Sequence, residues 1–63
     1  MSGEEFRKLR RSINLKQSEL GVLMDVSERG IRRWENGEIE IPRIAELALR
    51  YVVDAQKKGK KNR

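Results

Sequence analysis

The sequence predicts an all-α domain. Three observations lead to this. Apolar residues recur three and four positions apart over four separate stretches. The one stretch that alternates, Glu38-Ile39-Glu40-Ile41, is four residues long and has no second strand to pair with. The chain has 63 residues with no cysteine and no histidine, so a single small apolar core must hold it without disulfides.

The first helix is expected from about Gly3 to Ser12. Phe6, Leu9 and Ile13 give its apolar stripe, and Glu4 and Glu5 place negative charge in its positive first turn. Arg7, Lys8, Arg10 and Arg11 occupy its other faces. The second helix is expected from about Gln17 to Met24, with Leu20, Leu23 and Met24 apolar. The third runs from about Ser27 to Asn36. Ser27 is a good N-cap, Ile31 and Trp34 form an inner face, and Gly37 is a natural stop. The fourth starts near Pro42, a favoured first-turn residue, and carries Ile44, Leu47, Ala48, Tyr51, Val52 and Ala55 at helical spacing. The segment between helices three and four reads as an extended loop with Ile39 or Ile41 pinned to the core.

Helices two and three are separated by only Asp25 and Val26, which forces a steep crossing. Each position then has a steric job. Leu20, Met24, Val26, Ile31 and Trp34 point inward. Gly21 must be small because helix three passes close to it. Asp25 must turn the chain through a left-handed conformation, which Asp tolerates better than most residues. All seven positions fit a helix–turn–helix at about residues 17–36.

Charge adds less than the net value of +5 implies. Five positive charges and no negative ones lie in Lys57-Lys-Gly-Lys-Lys-Asn-Arg63, and the remainder holds ten basic and ten acidic residues. The expected organisation is therefore a domain over residues 1–56 and a basic, disordered tail over 57–63. No apolar run approaches the ~20 residues of a membrane span, and the N-terminus lacks the features of a signal peptide, so the cytoplasm is the expected compartment. Without His or Cys, and with no room for a deep cleft, neither an enzyme nor a metal or cofactor site is expected.

The run Gln17-Ser-Glu-Leu-Gly-Val-Leu-Met-Asp-Val-Ser-Glu-Arg-Gly-Ile-Arg-Arg-Trp-Glu-Asn-Gly37 resembles the Cro and phage-repressor helix–turn–helix family. The matching elements are the Gln that opens helix two, the small residue four later, Val-Ser before helix three, and Trp-Glu-Asn-Gly closing it. The resemblance covers about residues 4–53. It departs at Asp25, where the family usually has Gly, and at the C-terminus, where many relatives have a separate fifth helix used in dimer contacts. It implies a compact lambda-repressor-like domain of four to five helices that binds double-stranded DNA as a transcriptional regulator.

The family's docking mode implies that helix three lies in the major groove, with Glu28, Arg29, Arg32 and Arg33 against base edges. Glu28 is equally well placed as a simple helix-start residue. Gln17, Ser27, Asn36 and Arg43 match positions that approach phosphates, and Arg43 is also within reach of the minor groove. Arg10 matches a residue that usually pairs with the Glu of the Glu-Asn-Gly motif, here Glu35. Tyr51, Val52 and Val53 cover more than one helical face. Either Val53 is a single exposed apolar residue or the three form a dimer seam. The expected partner is a two-fold DNA operator bound by a homodimer, with repression or autoregulation as the output and no small-molecule effector. An antitoxin- or coactivator-like protein-interaction module is the alternative on the same fold.

Overall fold

The structure, a computed structural model, describes residues 1–61, and side chains through residue 58. Its described residues form four helices: α1 (Gly3–Ser12), α2 (Gln17–Met24), α3 (Glu28–Glu35) and α4 (Arg43–Lys61). No strand occurs among them.

Local chemistry sets where each helix begins. Ser2 Oγ accepts from the Glu5 amide at 3.1 Å, while the Glu5 carboxylate accepts from the Ser2 amide at 3.0 Å. This reciprocal pair satisfies two of the amides that a helix start leaves free. At α2 the Glu19 carboxylate accepts from the Lys16 amide at 2.8 Å. At α3 the Ser27 hydroxyl accepts from the Gly30 amide at 3.1 Å.

The helix ends are equally specific. Asp25 is left-handed, at φ 59° and ψ 44°, and the Val26 amide then donates to the Gly21 carbonyl at 2.8 Å. Gly37, at φ 76°, closes α3, and the Glu38 amide donates to the Arg33 carbonyl at 2.9 Å. Asn14, at φ 58°, turns the chain after α1, a left-handed position that the sequence did not announce.

The core consists of Phe6, Leu20, Ile31, Trp34, Ala45, Leu49 and Val53. The rings of Phe6 and Trp34 meet at a tilt, with centroids 5.7 Å apart. Met24 and Val26 are half-buried against this core, as are Leu9, Ile13 and Ile41, while Ile39 is exposed. Helices α1 and α4 lie alongside one another and run the same way. Met1 meets Glu46 at one end, and Ser12 and Ile13 meet Gln56 and Lys57 at the other.

Three expectations change. First, α4 buries Ala45, Leu49 and Val53 and leaves Ile44, Leu47 and Tyr51 exposed. Nine of the twelve residues from 44 to 55 are apolar, so their spacing defines a wide arc without fixing which part of it faces the core. Second, the trio Tyr51, Val52 and Val53 is not one surface: Val53 is in the core, Val52 is half-buried and Tyr51 is exposed. Third, the chain does not leave the helix at residue 56. α4 continues through Lys61, and residues 62–63 of the expected tail lie outside the described residues.

Candidate nucleic-acid interface

Helix α3 is fixed by its inner face. Ile31, Trp34 and Glu35 are buried, which leaves Glu28, Arg29, Arg32 and Arg33 exposed on the outer side, with Ser27 exposed at the cap. The outer side carries two ion pairs. Glu28 and Arg32, one turn apart, are 3.8 Å from each other. Arg33 reaches Glu38 at 3.7 Å. Both pairs are solvent-exposed, so each is weak and exchanges readily for a stronger partner. Among the described residues, no carboxylate comes within ion-pair range of Arg29.

Glu35 is the hub beneath this surface. Its side chain is fully buried and collects four hydrogen bonds. Arg10 donates from Nε to Oε2 at 2.7 Å and from Nη2 to Oε1 at 3.0 Å. Gln17 Nε2 donates to Oε1 at 3.1 Å, and Arg7 Nε does so at 3.4 Å. Arg10 Nη1 also donates to the Leu15 carbonyl at 2.9 Å. Burial pushes the Glu35 carboxyl up. The bonds from Arg10 and Gln17, the Arg10 charge and the bond from Arg7 outweigh that and hold it below the ordinary glutamate range. Among the described residues, no buried side-chain nitrogen or oxygen lacks a partner.

The hub joins α1, the start of α2 and the end of α3. Gln17 is therefore half-buried and held, rather than free at the surface. One amide hydrogen of its side chain remains, together with its backbone N–H at the first helical position, which has no intrahelical acceptor. Arg7 was not singled out from the sequence. It sits among four cations on one helix, and only folding reveals which of them Glu35, 28 residues away, will collect. Asn36 and Arg43 are exposed on either side of the loop after α3, and Asn36 Nδ2 donates to Glu38 at 3.5 Å.

Two glycines set how closely the helices approach. A β-carbon at Gly3 would lie 2.5 Å from the carbonyl oxygens of Trp34 and Glu35, so α1 begins directly against the end of α3. A β-carbon at Gly21 would lie 2.5 Å from the Val26 carbonyl oxygen inside the α2–α3 elbow.

A two-residue elbow, a helix locked by its inner face and a charged outer face define a helix–turn–helix DNA-binding domain. Residues 6–49 match the helix–turn–helix family, and the chain belongs to it, in its Cro- and repressor-type branch. It is thus a sequence-specific DNA-binding transcription regulator, from a family that is generally non-enzymatic. Comparison with curated proteins and with solved structures returns no match. Among the described residues, no helix is long and apolar enough to cross a membrane.

Proposed function

We propose that the protein is a repressor or autoregulator that occupies a two-fold DNA operator as a homodimer, with α3 in the major groove. The carrying observation is the division of α3. Ile31, Trp34 and Glu35 fix its orientation, and Glu28, Arg29, Arg32 and Arg33 are left together on the outside. Arginine donates bidentately to guanine, and glutamate accepts from the cytosine amino group. Arg29 is the foremost reader because no carboxylate competes for it among the described residues. Arg32 and Arg33 exchange Glu28 and Glu38 for DNA on docking.

Gln17, Ser27, Asn36 and Arg43 hold the phosphates that flank the groove. They fix register rather than sequence. Half-sites about one helical turn apart, ~34 Å, follow from a two-fold dimer.

The test is selection of bound sites from random duplexes, with Arg29→Ala, Arg32→Ala and Arg33→Ala alongside the parent. The expected result is loss of preference at separate base pairs. An unchanged motif in all three variants removes α3 as the reading element.

A further inference from the structure

We propose that Arg7 is a phosphate-contacting residue: its guanidinium, steered by Glu35, binds the DNA phosphate that Gln17 holds, so that α1 grips the backbone beside the groove together with α2. This rests on the docking proposed above, and the experiment below reads the two failures apart.

A shared atom carries the proposal. Arg7 Nε and Gln17 Nε2 both donate to Glu35 Oε1, at 3.4 and 3.1 Å. Two donors on one oxygen are next neighbours. A phosphate that meets the remaining amide hydrogen of Gln17 is therefore within reach of the Arg7 guanidinium. The Arg7 side chain is 40% exposed, against 10% for Arg10. Glu35 thus has one arginine inside the hub and one at its edge, open to solvent.

Hydrogen bonding divides the two arginines further. Arg10 spends all three nitrogens within the protein: Nε and Nη2 on Glu35, and Nη1 on the Leu15 carbonyl. Arg7 spends only Nε, in a long bond, and among the described residues neither of its Nη atoms has an acceptor. Each Nη carries two N–H donors, and a guanidinium edge of this kind recognises phosphate bidentately.

Charge points the same way. Glu35 supplies one negative charge to two guanidinium groups, so the hub keeps one positive charge in excess. Arg10 already holds both carboxylate oxygens, which leaves the excess on Arg7. Among the described residues, no other carboxylate comes within ion-pair range of Arg7. Stability gives little reason for this second arginine, because a part-exposed pair joined by a single long bond is worth little. Lys8 and Arg11 are exposed cations of the same helix, but among the described residues no side-chain bond ties them to α2 or α3. Arg7 alone among these three is aimed at the hub. A phosphate contact carries no sequence information. Its effect is to fix the register of the domain on the duplex, and through Glu35 that register reaches the end of α3.

The test measures the salt dependence of binding by the full chain, on a duplex carrying the selected site and on one of unrelated sequence. Arg7→Gln keeps a donor for Glu35 and should unfold close to the parental urea midpoint. It should bind both duplexes more weakly by a similar factor, and its plot of log affinity against log salt should be shallower by about one for each bound protomer. Arg7→Lys keeps the charge and should keep most of the slope. Lys8→Gln removes the same charge from the neighbouring position and should leave the slope parental. A loss of folded protein rescales affinity without changing the slope, so a merely structural Arg7 gives the parental slope in Arg7→Gln.

Single methylphosphonate replacements, which remove one backbone charge at a time, then locate the contact. The phosphate whose replacement no longer weakens Gln17→Ala should be the one whose replacement no longer weakens Arg7→Gln. A parental slope in Arg7→Gln overturns the proposal, and so does a parental methylphosphonate pattern in that variant. Either result leaves Gln17 at its phosphate. A Gln17→Ala chain that keeps the full parental pattern removes the docking itself, and the shared phosphate with it.

Discussion

Arg10 grips Glu35 with two nitrogens, at 2.7 and 3.0 Å, and so ties α1 to the end of the helix that carries the outward arginines. The pair is buried, and Arg7 and Gln17 complete the shell around the carboxylate. Removing one partner of such a pair strands the other charge in the interior, at a cost of about 3–5 kcal/mol. A domain of this size has little stability to spare. Arg10→Ala is expected to unfold the chain or to lower its unfolding free energy, read from urea titration, by that amount. A folded variant of parental midpoint with weakened DNA binding would show that Arg10 acts at the DNA instead.

The same carboxylate predicts how stability responds to acid. Folding holds the Glu35 carboxyl below its ordinary value of 4.5. The charged form is therefore favoured in the native state, and the group stabilises the fold fully above 4.5. That stabilisation is lost as pH falls from 4.5 through the lower folded value. Urea midpoints measured from neutral pH down to about 3 should fall steeply at the acidic end. Glu35→Gln should be less stable at neutral pH and should flatten that acid limb. A parental slope retained in Glu35→Gln would assign acid sensitivity to other carboxylates.

Much of this fold was legible because its punctuation is chemical. Ser27, Gly37 and Pro42 mark helix boundaries by capping, by left-handed backbone and by fixed φ, and Asp25 sits in the one gap too short for anything but a turn. The rotation of α4 was not legible. Its apolar arc includes both Leu49, which is buried, and Tyr51, which is exposed, and only packing against the other helices decides between them. The helix beyond residue 56 was missed for a different reason. A lysine-rich run reads as solvated chain, yet extending a helix that is already nucleated is far easier than starting one. At the interface, the outward positions of α3 follow from its period. The hold of Glu35 on Gln17 and Arg7 spans three helices and has no local signal.

The elbow offers a prediction of opposite sign at two adjoining sites. Gly21→Ala places a methyl 2.5 Å from the Val26 carbonyl oxygen, so the backbone must open, at about 1–3 kcal/mol. Asp25→Gly relieves a left-handed non-glycine residue. It should leave stability unchanged or raise it by up to about 1 kcal/mol. Thermal melts of the two variants should therefore move apart. If Asp25→Gly lowers the melting temperature, the Asp25 side chain contributes more than its backbone strain costs.

The Glu28–Arg32 pair makes the most specific prediction about the operator. The two residues are one helical turn apart on the exposed side of α3. On the proposed docking, Glu28 accepts from a cytosine amino group, and Arg32 is released toward a neighbouring guanine or phosphate. Glutamine keeps the length of glutamate but adds a donor, and it pairs bidentately with adenine. Glu28→Gln should thus switch the preferred base at one position from cytosine to adenine, with about 1–3 kcal/mol of discrimination. Affinity for duplexes of unrelated sequence should rise slightly, because one negative charge leaves a surface that faces phosphates. Site selection with the parent and the variant distinguishes the roles. If both return the same base at every position, Glu28 serves only the start of the helix and the support of Arg32.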